Sequence, residues 1–173
     1  MKLGVCAWSF EALPIDGALG ICASMGFKAV ALSAFRERGS ASYEPDQLGT
    51  DPARFVAQAR PLLERHGVYP VDLFVQFGAS FGDRSLNDPD PAVRQKNIDM
   101  FKGIIQFCTQ LNIPVVTFIP GIEHLGAPWE QSLDRSAETF RALVKIGADA
   151  GIQVCFEPHM QSVTATPEDA LAL

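Results

Sequence analysis

A chain of 173 residues, 47% hydrophobic and 20% charged, is long enough for one domain with a real hydrophobic core. Its formal net charge of −6 works against nucleic acid and anionic membrane surfaces, which require a basic face, and leaves room for an acidic pocket that holds a cation. No CxxC pair occurs among Cys6, Cys22, Cys108 and Cys155, which sit among apolar residues, so reduced buried thiols and a cytoplasmic location are expected. No apolar run reaches the length of a membrane span, and Glu11, Pro14 and Asp16 interrupt the N-terminal apolar stretch too early for a signal peptide.

The spacing predicts a first strand over residues 3–8, with Trp8 and Phe10 at its end. A recurring phrase follows. Gly26-Phe27-Lys28-Ala29-Val30, Gly67-Val68-Tyr69-Pro70-Val71, Asn112-Ile113-Pro114-Val115-Val116 and Gly151-Ile152-Gln153-Val154-Cys155 recur with a period of about forty residues, the length of one βα unit in a barrel. Each opens with Gly, or with Asn, the next residue best able to take a left-handed backbone and so to end a helix. The apolar run behind it reads as a short buried strand. Strands are thus predicted at 28–34, 68–76, 113–119 and 152–158.

Between the strands the pattern turns helical. Asp51-Pro52 opens a helix carrying Phe55, Ala59 and Leu62, with Pro61 expected to kink it or end it early. Asp90-Pro91 opens the next, with Ile98, Phe101, Ile105, Cys108 and Leu111 at helical spacing. Leu133, Ala137, Phe140, Val144 and Ala148 repeat that pattern, and Thr166-Pro167 opens a last helix.

Alternating strands and helices imply a parallel sheet with right-handed crossovers. Helix-to-strand turns are short, whereas strand-to-helix segments such as 35–50 and 77–90 are long, which gathers the long loops at the carboxyl ends of the strands, where ligands bind in such folds. No GxGxxG follows the first strand, so a (β/α)8 barrel is favoured over an open doubly wound sheet of flavodoxin type. Eight such units need about 300 residues. The chain holds a little over four, so residues 1–173 are expected to be the N-terminal part of a single barrel domain, strands one to five, with the C-terminal units missing.

The sharpest chemical signal is Val154-Cys155-Phe156-Glu157-Pro158-His159. Alternation along a strand turns Val154 and Phe156 to the outer helices, and Gln153, Cys155, Glu157 and His159 to the barrel axis. A carboxylate at the end of an otherwise apolar strand is costly unless a cation or hydrogen-bond donors meet it.

These segments together resemble the xylose-isomerase-like sugar phosphate isomerase/epimerase proteins. The resemblance runs through Met1-Lys2-Leu3-Gly4-Val5 to Trp8-Ser9-Phe10, Asn87-Asp88-Pro89-Asp90-Pro91-Ala92-Val93-Arg94, Pro120-Gly121, and Phe156-Glu157-Pro158-His159 with Ser162 and Thr166-Pro167-Glu168. It implies a metal-dependent isomerase or epimerase that moves a proton beside a carbonyl through an enediolate, acting on a sugar or sugar phosphate. It further implies that Glu157 is a metal ligand and one of the catalytic carboxylates, and that His159 lines the pocket as a second catalytic group. The other ligands, an Asp, a His and a final Glu, would come from strands six to eight. Carboxylate and imidazole donors suit Mn²⁺, Mg²⁺, Co²⁺ or Zn²⁺ alike. The chain departs from the family at Val30-Ala31-Leu32, where members often read Val-Glu-Leu.

Further substrate contacts are expected from Trp8 and Phe10, whose rings suit the apolar face of a sugar, from Gln76 at the end of the third strand, and from His124 in the loop after Pro120-Gly121. His66 is expected only to complement a helix carboxyl end, and Arg36-Glu37-Arg38 to form a solvated face. An endonuclease-IV-like nuclease on the same fold is the second enzymatic expectation, although it needs more histidines than three. A third is a non-catalytic fragment: five strands leave two open edges, which invite pairing with a second copy or a partner chain, and the isolated chain would then be oligomeric or poorly soluble and inactive.

Overall fold

A computed structural model describes residues 3–173. Five parallel strands, β1 (Gly4–Cys6), β2 (Ala29–Phe35), β3 (Tyr69–Gln76), β4 (Val115–Phe118) and β5 (Gln153–Phe156), pair strictly in sequence order. Sequential order is that of a barrel wall; an open flavodoxin-type sheet would place a later strand on the far side of β1. The helices are α1 (Ile15–Ser24), α2 (Pro45–Thr50), α3 (Pro52–His66), α4 (Pro91–Leu111), α5 (Trp129–Asp149) and α6 (Pro167–Ala172). Among the described residues no helix is long and apolar enough to cross a membrane.

The repeated phrase works as its chemistry requires. Gly26, Gly67, Asn112 and Gly151 all take positive φ, and Gly67 and Asn112 are the left-handed caps of α3 and α4. The helix side of the sheet is the core: Val30, Leu32, Ala34, Leu73, Val75, Val116 and Phe118 alternate toward it and meet Phe101, Ile104, Phe107 and Leu143 from the helices. The opposite face looks toward the barrel axis.

Four expectations are corrected. The first strand ends at Cys6, and Trp8 and Phe10 lie in a single 3-10 turn spanning Ala7–Phe10. Pro61 neither ends nor breaks α3, which runs on to His66. Pro61 and Ala57, whose carbonyl loses its partner, both face solvent, so water replaces the lost hydrogen bond while Val56, Ala59 and Leu63 stay packed. The segment 35–50 is only partly loop: Pro45 starts α2, and Tyr43 bridges to Ala34. On α5 the buried stripe is Leu133, Ser136, Phe140, Leu143 and Gly147, leaving Val144 and Ala148 exposed. Small residues at 136 and 147 let the backbone of α5 approach the strands, which an apolar count overlooks. Gly147, for example, has Ile152 and Val154 where a side chain would stand.

Candidate functional site

The axis-facing positions assemble a site from the middle of the sheet to its carboxyl end. Register alignment puts Cys6, Ala31 and Asp72 in one row, and Ser33, Phe74, Thr117 and Cys155 in the next. Phe74 joins Phe35 and Ile119, which lie further toward the carboxyl end, in a small apolar cluster separate from the main core, with Trp8 and Phe81 packed on it. Trp8, Phe35 and Phe74 stand with ring centroids 5.4–5.8 Å apart, a mutual aromatic floor.

Glu157 stands at the rim of this floor. Its backbone N–H donates to Phe118 O at 2.8 Å, which carries the ladder one residue past β5 before Pro158 ends it. Its carboxylate is exposed, and among the described residues no side chain or backbone group bonds it. Val154 and Phe156 pack on the helix-side core, so the expected alternation along β5 holds. His159 follows in the β5–α6 loop, half-buried, with its ring against Phe81 at 4.9 Å.

Asp72 is the group that strand patterning missed. It lies in the middle of β3, half-buried, and its Oδ1 accepts a hydrogen bond from Thr117 Oγ1 at 3.0 Å. Burial pushes its carboxyl up to about 6; Thr117 and the Leu73 amide pull it back, and the negative charge of Glu157 adds to the rise. Burial likewise raises the Cys6 thiol, helped by Asp72 and Glu157. Asp72 is the direct register partner of Ala31, so a carboxylate stands on the strand beside the position where Val30-Ala31-Leu32 lacks one.

The other expected site residues are placed as follows. Trp8 joins the aromatic floor, whereas Phe10 packs against the main core on the helix side and is not brought to it. Gln76 is buried, and its Nε2 donates to Gly78 O at 2.9 Å, so it shapes the turn after β3. His124 is held away from the floor: its Nε2 lies 3.1 Å from Asn87 Oδ1, and burial lowers its pKa. Asn87 is fully buried and ties two loops, accepting from Ser85 Oγ and Ile122 N while donating to Ile122 O and Ser132 O. Gly121, at φ +105°, leaves the space that the Asn87 amide occupies. His66, in the last turn of α3 as expected, also meets Asp16 at 2.6 Å, and Arg36 pairs with Asp46 at 2.9 Å, so Arg36 is not merely part of a solvated face.

Sequence comparison now decides the family. Residues 19–173 match the family described as xylose isomerase-like TIM barrel. The chain belongs to that family. Among solved structures it resembles a D-tagatose 3-epimerase-like protein, at 21% identity and TM-score 0.74, over 99% of this chain and 59% of that one. A D-allulose 3-epimerase from Methylomonas sp. superposes equally well, at 16% identity and TM-score 0.74, over 99% and 57%. The IOLI protein, solved with a bound zinc atom, matches at 20% identity and TM-score 0.67, over 98% and 56%. At these identities the likeness is one of fold, and the chain spans a little over half the length of each of these structures. No curated protein matches the sequence.

An exposed carboxylate without an internal partner suits a divalent cation as one ligand. The chain does not gather a full set around it: among the described residues no three His, Cys, Asp or Glu side chains stand close enough to hold a metal ion.

Proposed function

We propose that this chain forms the β1–β5 wall of a divalent-metal-dependent sugar or sugar phosphate isomerase or epimerase. The observation that carries the reading is Glu157: a free carboxylate at the end of β5, over an aromatic floor, in a chain of this family. Glu157 would hold the cation as one ligand and exchange a proton with the carbon beside the substrate's carbonyl. His159 and Trp8 would contact the substrate, and Ser162 would fix the backbone of the His159 loop. The cation would polarise the substrate's carbonyl and hydroxyl oxygens. The remaining ligands and the second carboxylate would come from strands that close the barrel, so residues 1–173 alone are expected to give no turnover.

The test is solvent-deuterium incorporation beside the carbonyl of D-fructose and D-allulose, followed by NMR, on the protein with its barrel closed and Mn²⁺ added. Exchange is expected to vanish with EDTA and to fall about 10²- to 10⁴-fold in Glu157→Gln, the usual range for removing a proton-transferring group. Undiminished exchange in that variant sinks the proposal.

A further inference from the structure

The β5–α6 loop is anchored at several points before it reaches the ligand side. Val163 N–H donates to Gly121 O at 2.9 Å, and Trp129 Nε1 donates to Val163 O at 2.9 Å. Ser162 clamps the turn: its hydroxyl donates to His159 O at 2.8 Å and accepts from the His159 and Thr164 amides. The backbone of His159 is thereby fixed, and only its ring torsions remain free.

Two contacts fix the ring. The Gln161 backbone N–H donates to His159 Nδ1 at 3.3 Å. An amide can donate only to an unprotonated ring nitrogen, so this bond places the proton of the neutral imidazole on Nε2. The Phe81 ring meets the imidazole at 4.9 Å with an interplanar angle of 77°, an edge-to-face arrangement. A ring flip about the Cβ–Cγ bond would exchange the imidazole's nitrogen and carbon edges and would break the Gln161 contact to Nδ1. Phe81 is itself held. It packs on the Phe35, Phe74 and Ile119 cluster, and its loop is closed by Asp83, which accepts from Ala79 N–H at 2.8 Å, and by Ser80 Oγ, which accepts from Asp83 N–H.

We propose that Phe81 is a positioning residue for His159: together with the Gln161 amide it presents the imidazole to the pocket as a fixed Nε2–H donor, matched to an acceptor oxygen of the ligand. The proposal deepens the isomerase reading and rests on it for the nature of that oxygen, a sugar carbonyl or hydroxyl. An N–H donor differs from the neighbouring Glu157 in kind: one binds an oxygen by giving a hydrogen bond, the other accepts or coordinates. The pair can therefore read the position of a carbonyl relative to the hydroxyl beside it.

The experiment is ¹⁵N NMR of the imidazole nitrogens in histidine-labelled protein, at a pH above the imidazole range, with His159 assigned by its disappearance in His159→Gln. Wild type is expected to show separate pyridine-like Nδ1 and pyrrole-like Nε2 signals for His159. Phe81→Leu is expected to move these two signals toward each other, as flipping and tautomer exchange set in. Phe81→Tyr, which keeps the ring, is expected to restore the wild-type pattern. His66 and His124 report in the same spectrum whether each variant is folded. A His159 pattern in Phe81→Leu identical to wild type, with those two signals unmoved, overturns the proposal, as does a wild-type ring protonated on Nδ1. If Phe81→Leu does not fold, Phe81→Met supplies the same comparison with less lost volume. The readout needs no turnover, so absence of deuterium exchange with the ketoses would count against the isomerase reading and leave this result standing.

Discussion

Asp72 on β3 accepts a hydrogen bond from Thr117 on β4 on the axis side of the sheet, 3.0 Å across the parallel pair. The bond ties a carboxyl to a wall otherwise lined by Cys6, Ala31, Ser33, Phe74 and Cys155, and it lies below the rim where Glu157 stands. The two carboxylates share one face; burial is the leading cause that raises the Asp72 carboxyl, and the charge of Glu157 adds to it.

Asp72 is therefore expected to oppose folding at neutral pH. Its folded pKa of about 6 lies above that of an unfolded aspartate. The folded state holds the extra proton between these values, so stability falls as pH rises from about 4 to about 6 and stays lowered above that. Asp72→Asn keeps an acceptor for Thr117 and removes the charge. It should stabilise the protein by roughly 1 kcal/mol at neutral pH, after allowance for partial exposure, and by little at pH ~4. Urea midpoints at the two pH values check this; equal gains at both would mean that titration of Asp72 is not the cause.

Asn87 should behave as a structural node. Its fully buried amide satisfies Ile122 at both backbone groups, receives Ser85 Oγ and lies against His124 Nε2. Asn87→Ala would leave several buried polar atoms unpaired, at a cost of about 3 kcal/mol. Hydrogen exchange resolves where the loss falls. The Ile122 amide should lose protection, while amides in the middle of β2 and β3 change only with the global stability.

Much of this architecture was legible in the sequence because it rests on local rules. Gly67 and Asn112 end helices by their left-handed backbone, and Asp90 and Thr166 start them by accepting backbone amides, so periodicity and caps alone predicted the sequential units. The outward and inward alternation of β5 was readable for the same reason. What stayed hidden depends on contacts between segments far apart in the chain. The pairing of Asp72 with Thr117 spans two units, and Asn87 reaches Ile122 across two loops. In the sequence His124 looked like a free loop histidine, because Asn87, its partner, sits 37 residues earlier. Asp72 interrupts an apolar strand just as Glu157 does, so a search for charged residues at axis-facing strand positions would have found it.

Gly103 should not tolerate a side chain. At this point α4 crosses α2 so closely that a methyl group would overlap the Gly49 carbonyl, which is backbone and cannot rotate aside. Gly103→Ala would normally favour a helix, by about 1 kcal/mol. Here overpacking should reverse the sign and destabilise by about 1–3 kcal/mol. A raised urea midpoint would show that α2 simply moves away.

Asp16 and His66 join α1 to the carboxyl end of α3 at 2.6 Å, and Arg65 Nη1 adds a second contact to the same carboxylate at 3.0 Å. The hydrogen bond from His66 is the leading cause that holds the Asp16 carboxyl below the usual aspartate range, with Arg65 adding to it. A depressed folded pKa means that the folded state binds fewer protons than the unfolded chain as pH falls. The stabilisation is therefore fully present above about pH 4 and is lost as pH drops through the folded value. Asp16→Asn should lower Tm at pH ~5, and the gap should close on further acidification. Because the carboxylate faces solvent, added salt should narrow the same gap. A difference that survives both acid and salt would assign the effect to helix packing between α1 and α3, with the charge of Asp16 playing no part.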